Sequence, residues 1–156
     1  MRMTMVGTGY VGLVTGVCFA NTGVDVTCLD IDESKIQKLR DGICPIYEPG
    51  LTELMERNAA AGRLTYTTDK ASAYRDADLI FICVGNPTGP DGQTDLSYIY
   101  AAADDIADAL IALGSAQKPK IIVMKSTVPV GTTIEVRCRI RDRVGPEIPF
   151  AVADNP

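Results

Sequence analysis

The sequence predicts an α/β domain: a doubly wound, mostly parallel sheet with helices on both faces. Three observations lead to it. Short apolar runs alternate with amphipathic stretches along the whole chain, the pattern of strands joined by helical crossovers. The runs at 79–84 and 121–124 are apolar without alternation, as strands covered on both faces require. Glycine and proline clusters fall between the periodic stretches, where the chain must turn. Right-handed crossovers then place helices on both sides of the sheet.

Each element follows in order. Arg2 to Val6 reads as a short buried strand, and Gly7 to Gly12 as a glycine-rich turn. Tyr10 to Thr22 reads as a helix ended by Gly23. Val24 to Asp30 alternates at Val24, Val26 and Cys28, as a second strand would. Glu33 to Arg40 is a helix closed by Asp41-Gly42, and 43–48 is a loop. Pro49 suits the first turn of the next helix, whose Leu51, Leu54, Met55 and Asn58 share one face. Leu64 to Thr67 is a third, short strand, and Asp69 caps a short helix after it. Leu79 to Val84 is the fourth strand, and Gly85 to Thr94 a loop. Ser97 to Leu113 is the clearest helix: Ile99, Ala103, Ile106, Leu110 and Leu113 form a stripe, while Asp104, Asp105 and Asp108 face elsewhere. Ile121 to Met124 is a strand, Gly131 to Arg141 a helix, and Pro149 to Ala153 begins a last strand. No repeat, low-complexity tract or linker interrupts the series, so 1–156 is expected to be one domain.

Composition narrows the chemistry. The 156 residues can bury a real core, and 46% hydrophobic content excludes a disordered chain. A net charge of −5 repels nucleic acid and anionic lipid, so neither is an expected partner. One basic cluster, Arg137, Arg139, Arg141 and Arg143, reads as a solvated face near a helix C-terminus, where cations suit the dipole. Histidine is absent, which excludes Ser-His-Asp and Cys-His catalysts within this chain. The five cysteines are odd in number and lack CxxC spacing, so no disulfide framework or metal site is expected. The stretch from Met3 to Val24 is uncharged, but its glycines and threonines make it unlike a membrane span or a signal segment. A cytoplasmic location follows as the expectation.

The chemistry-bearing pattern is Gly7-Thr8-Gly9-Tyr10-Val11-Gly12, a GxGxxG turn that follows a strand and opens a helix. Gly7 permits the tight turn, Gly9 lets a pyrophosphate approach the backbone, and Gly12 lets the helix pack closely. The helix N-terminus offers N–H groups and positive dipole potential to phosphate. A plain glycine turn is the competing reading. Asp30 ends the second strand, roughly 20 residues past the glycines, where a carboxylate accepts from the adenosine ribose and repels a 2′-phosphate. NAD is therefore expected rather than NADP. Asp32 is the second candidate, and a turn aspartate with no ligand is the alternative. Val84-Gly85-Asn86-Pro87-Thr88 and Ser126-Thr127-Val128 follow the fourth and fifth strands, at the sheet end where ligands lie in a Rossmann-type fold. Thr127 would point its hydroxyl into that cleft, and an ordinary turn is the competing reading of either loop.

Together the segments resemble the UDP-glucose/GDP-mannose dehydrogenase family. The matching pieces are GTGYVGLVTG (7–16), LDIDESKI (29–36), PIYEPGL (45–51), VGNPTGPDGQTDLS (84–97) and KSTVPVGT (125–132), in the family's order. PIYEPGL is more similar to the UDP-glucose branch than to the GDP-mannose branch. The resemblance implies oxidation of a sugar C6 hydroxyl to a carboxylate in two NAD-dependent steps. UDP-glucose is then the first candidate substrate, with GDP-mannose and UDP-N-acetylmannosamine as alternatives. A stand-alone dinucleotide-binding module is the reading from another class. The resemblance also implies that the glycine turn, Asp30, Lys35, 84–88 and 126–128 contact NAD, and that Thr127 helps to position water and cofactor. Without it, Lys35 reads as a solvated helix lysine. The chain departs from the family at Asn86, where Thr is usual. The family continues Asn-Pro-Glu-Phe where this sequence has Asn155-Pro156, and its nucleophilic cysteine lies in a later Phe-Pro-Lys loop. Cys18, Cys28 and Cys83 fall on expected core elements and read as inert packing residues. The main catalytic residues, the nucleotide-sugar pocket and the contacts of a homodimer or higher oligomer are thus expected beyond Pro156, leaving these residues inactive alone.

Overall fold

The computed structural model describes residues 1–90 and 92–156; Asp91, within the expected loop 85–94, lies outside the described residues. The elements run β1 (Arg2–Val6), α1 (Tyr10–Asn21), β2 (Asp25–Leu29), α2 (Glu33–Arg40), α3 (Leu51–Ala60), β3 (Leu64–Thr67), α4 (Lys70–Asp76), β4 (Leu79–Ile82), α5 (Ser97–Leu113), β5 (Lys120–Met124), α6 (Thr132–Val144) and β6 (Phe150–Asp154). They form one six-stranded sheet of order β3-β2-β1-β4-β5-β6, parallel at every pairing.

The unbroken apolar runs are explained by a core on each side of the sheet. Phe81 of β4 and Cys83, just past its end, join a cluster with Leu13 and Val17 of α1, Ile36 of α2 and Met55 of α3. Ile80 and Ile82 point the other way, to Tyr74 of α4, Ile106 of α5 and Val136 of α6. Successive strand side chains alternate between faces, so a strand buried on both needs apolar residues at every position. Thr4 breaks the run on β1 but is buried and satisfied, its hydroxyl donating to the Ala73 carbonyl at 2.8 Å.

Several boundaries differ from the sequence reading, each for a local reason. The fourth strand ends at Ile82 rather than Val84, because the Ile82 carbonyl accepts from Lys125 and Ser126 N–H, each at 3.0 Å, as the chain peels away. Pro49 lies before α3, not in its first turn: Gly50, at φ 80, sits between them. The last strand starts at Phe150, since Pro149 has no N–H for the ladder. Helix α6 runs on past Arg141 to Val144 and stops at Gly145, φ 74.

The arginine cluster is more than a solvated face. Arg139 grips Asp104 with two bonds of 2.8 and 2.7 Å, and Arg143 pairs with Asp108 and lies 3.7 Å from Asp104. Arg141 donates to the Gly145 and Ile148 carbonyls and covers the Phe150 ring. Only Arg137 of the four matches the expectation of a plainly exposed cation. Asp104 and Asp108 of α5 thus face Arg139 and Arg143 of α6.

Candidate functional site

Strands β1 and β4 are neighbours, but the chain leaves β1 for α1 on one face and β4 for α5 on the other. Their carboxyl ends therefore open a crevice at the point where the strand order reverses. The GxGxxG turn forms one wall. Gly7 has φ +98 and donates to the Leu29 carbonyl at 2.7 Å, and a Cβ there would lie 2.9 Å from the Cys83 carbonyl oxygen. A Cβ on Gly12 would fall 2.0 Å from the Gly7 carbonyl oxygen, so this glycine sets how closely α1 approaches the turn. Gly9 differs: its φ is −71 and a Cβ would meet nothing within 4 Å. Its backbone borders open space, as a phosphate cradle requires.

Helix α1 starts with no side-chain cap and no acidic residue in its first turn. Its first backbone bond runs from Leu13 N–H to Gly9 O at 2.9 Å, so the N–H groups of Tyr10, Val11 and Gly12 precede the ladder. Such an end suits an anion.

Asp30 closes the opposite side of the turn. Its Oδ2 accepts from the Thr8 N–H at 2.8 Å, the Thr8 hydroxyl at 2.6 Å and the Lys35 ammonium at 3.1 Å. Its Oδ1 accepts from the Asp32 N–H at 3.1 Å. Burial pushes the Asp30 carboxyl up, yet the bonds from Thr8, Asp32 and Lys35 outweigh it and hold the group below its ordinary value. Thr8 is completely buried and turned toward Asp30, not toward the crevice. Asp32 caps α2, its Oδ1 accepting from the Lys35 N–H and the Ser34 hydroxyl. Beside Asp30 a cavity of about 170 Å³ is lined by Ile31, Val84 and Tyr98, with the Lys70–Asp105 pair (2.7 Å) at its wall. Ile31, just past the end of β2, and Tyr98, in the first turn of α5, are exposed apolar residues that sequence reasoning missed; no local pattern marks either. A larger cavity of about 330 Å³ lies by Leu39, Met55 and Tyr66, away from the strand switch.

The two loops beyond β4 and β5 are tied together. Asn86 donates through Nδ2 to the Thr127 carbonyl, and the buried Ser126 hydroxyl donates to the Val84 carbonyl at 2.7 Å. Gly85 has open space where a Cβ would be. Thr127 is exposed and Val128 half-buried at the same edge. Pro87 accepts from Asp95 N–H at 2.8 Å and Thr88 bridges Thr94, which folds the loop back on itself. Tyr10 donates its hydroxyl to Glu48, pinning PIYEPGL against the start of α1 and raising the Tyr10 phenol; nothing local in the sequence announced this contact.

Thiol chemistry is disfavoured at the buried cysteines. Burial pushes the Cys28 and Cys83 thiols up to about 12. Cys18 is exposed rather than packed, because it lies on the outer side of α1. No group of three or more His, Cys, Asp or Glu side chains suited to a metal occurs among the described residues, and no helix there is long and apolar enough to cross a membrane.

A parallel sheet of order 3-2-1-4-5-6 with a glycine turn after β1 and a carboxylate after β2 defines a Rossmann-type dinucleotide-binding domain. The profile of the UDP-glucose/GDP-mannose dehydrogenase family, NAD binding domain, matches residues 1–156, and the chain belongs to that family, whose cofactor is NAD. UDP-glucose 6-dehydrogenase of Rhizobium meliloti (strain 1021) is 50% identical over 100% of this chain and 34% of its own length. Among solved structures, GDP-mannose dehydrogenase from Pseudomonas aeruginosa, as a ternary complex, superposes with TM-score 0.93 at 36% identity, over 100% of this chain and 36% of that one. A UDP-glucose dehydrogenase from Pyrobaculum islandicum gives TM-score 0.91 at 39% identity, over 99% and 35%. The chain spans about a third of the length of the curated relative it matches, 34%.

Proposed function

We propose that this chain is the cofactor-binding part of an enzyme that oxidises UDP-glucose to UDP-glucuronate in two NAD-dependent steps. The observation that carries the reading is 50% identity, over the whole chain, to a UDP-glucose 6-dehydrogenase. The geometry fits NAD at three points. The adenine enters the cavity between Ile31 and Tyr98, and the ribose hydroxyls meet Asp30 and Lys35. The pyrophosphate rests on the open backbone of Gly9 and the free N–H groups opening α1. The nicotinamide end lies by 84–88 and 126–128, where the Asn86–Thr127 bond holds the two loops in register. NAD supplies the hydride acceptor; these residues bind and orient it.

Thr8 acts through Asp30 and Ser126 through Val84, so both are positioning residues rather than contacts. Asn86 ties the two loops with its amide, and the exposed Thr127 side chain is left to face the reacting end. The complete enzyme is placed in the cytoplasm, since the free cysteines suit a reducing compartment, and its homo-oligomeric state is what the family resemblance implies. The test is a longer polypeptide that continues this reading frame, assayed with NAD and each of UDP-glucose, GDP-mannose and UDP-N-acetylmannosamine. Turnover with UDP-glucose is the expected result; turnover with another sugar alone reassigns the substrate, and absent NAD binding overturns the reading.

A further inference from the structure

Asp30 is the residue that should choose between the two nicotinamide dinucleotides, and it is not a lone carboxylate. Lys35 Nζ sits 3.1 Å from its Oδ2. The Asp30 side chain is 10% exposed and that of Lys35 34%, so the cation is the outward member of the pair. The arrangement is built in: Asp32 caps α2 through the Lys35 N–H at 3.1 Å, which fixes the first helical turn so that the lysine stem folds back over the strand end.

An unpaired carboxylate would repel a 2′-phosphate as a full negative charge. An ion pair at 3.1 Å presents a dipole instead, with its more exposed, positive end toward solvent. Two further features act on the same spot. The N-terminus of α2 contributes positive partial charge, and the exposed carboxylate of Asp32 opposes it. Glu33 is turned aside, 3.5 Å from Arg40 and accepting from the Thr68 hydroxyl at 2.8 Å.

We propose that Lys35 is a specificity-determining residue for the 2′ position of the adenosine ribose. Paired with Asp30 it serves a free 2′-hydroxyl, and it retains a residual site for a 2′-phosphate, so that the ratio of NAD to NADP affinity is set by the pair. The proposal rests on the NAD-binding reading above. A 2′-hydroxyl donates to Asp30 Oδ1 without breaking the pair. A 2′-phosphate must draw Lys35 away from Asp30, which keeps NADP the weaker ligand while Asp30 is charged. Removing that charge frees the lysine for the phosphate.

The test is calorimetric titration of NAD and of NADP into the 156-residue chain, its Lys35→Met and Lys35→Arg variants, and Asp30→Asn. The wild type is expected to prefer NAD. In Lys35→Met, NADP should weaken on the order of tenfold and NAD by no more than about threefold, the scale of one well-placed charge contact, so the ratio widens. Lys35→Arg should hold the wild-type ratio, and Asp30→Asn should bring NADP level with NAD or ahead of it. Asp30→Asn could loosen the Thr8 turn, but Lys35→Met leaves both Thr8 bonds in place and decides the matter alone. If Lys35→Met weakens both nucleotides by the same factor, Lys35 is a general affinity residue and the proposal falls. If the wild type binds neither nucleotide, the NAD reading itself falls, and the proposal with it.

Discussion

A methyl group added at Gly9 would meet no atom within 4 Å, whereas the same methyl at Gly12 would lie 2.0 Å from the Gly7 carbonyl oxygen. One substitution therefore tests binding and the other tests folding. Gly9→Ala keeps an allowed φ of −71, so the fold should be unchanged while NAD affinity falls on the order of tenfold, because the methyl occupies the space a pyrophosphate needs. Circular dichroism with calorimetric titration checks this; unaltered affinity with an unaltered spectrum would remove Gly9 from the phosphate site. Gly12→Ala should instead lower stability by about 1–3 kcal/mol, the usual cost of overpacking, read from urea midpoints. Asp30 supplies a pH signature at the same scale. Its carboxyl is held below the ordinary value in the folded chain by Thr8, Asp32 and Lys35 against the upward push of burial. A group lowered on folding adds stability above its unfolded pKa, and that stability is lost as pH falls through the folded value. The stability advantage of wild type over Asp30→Asn should thus be full above about pH 4, the unfolded range, and shrink on further acidification. An advantage that stays constant with pH would contradict the account.

At the scale of elements, α5 and α6 are joined by charge as well as by apolar packing. Arg139 makes its two bonds to Asp104 with its guanidinium also 5.3 Å from the Tyr100 ring centre, and the Tyr100 hydroxyl donates to Glu135 at 2.6 Å. A double-mutant cycle on Asp104→Ala and Arg139→Ala should give a coupling of about 0.5–1 kcal/mol that weakens with salt, since both groups are partly exposed. Arg137→Ala should stay within about 0.5 kcal/mol of wild type. A coupling indistinguishable from zero at low salt would reduce the seam to a surface coincidence. This seam also marks the limit of what the chain discloses by itself. Every strand and helix was legible, because periodicity, caps such as Asp69 and turn glycines act over a few residues. Whether Asp104 faces water or Arg139 depends on how α5 and α6 come together, which no local pattern encodes. The site divides in the same way. The three glycines and Asp30 could be placed from spacing, but the Thr8–Asp30, Ser126–Val84 and Asn86–Thr127 ties join residues 22, 42 and 41 positions apart. Spacing along the chain does not encode these ties, because they form only when the strand ends and loops come together.

On the scale of the whole molecule, the proposed function makes this domain one wall of a reaction site. Apolar side chains stand open beside the turn and loop that border the crevice: Val130 is fully exposed, Ile134 61% and Val11 45% exposed. Oxidation of an alcohol to an acid needs a hydride acceptor, a base for the hydroxyl proton and a nucleophile to hold the aldehyde for the second oxidation. NAD meets the first need. For the others the chain has no histidine, and the thiols of Cys28 and Cys83, raised to about 12, carry almost no thiolate at neutral pH. Cys18 and Cys138 are exposed on the bodies of α1 and α6, away from the turn and loops that open the crevice. With one wall in place, NAD loses part of its contact area and water is not excluded, so binding should be weak and chemistry absent. The measurement is direct: mix the purified 156-residue chain with NAD and UDP-glucose and follow the absorbance of the reduced cofactor. No sustained rise is expected, while calorimetry on the same sample still detects NAD. Sustained NADH formation that disappears when one of the five cysteines is replaced by serine would show that the reacting thiol lies within these residues, and would overturn the assignment of this chain as the cofactor-binding part alone.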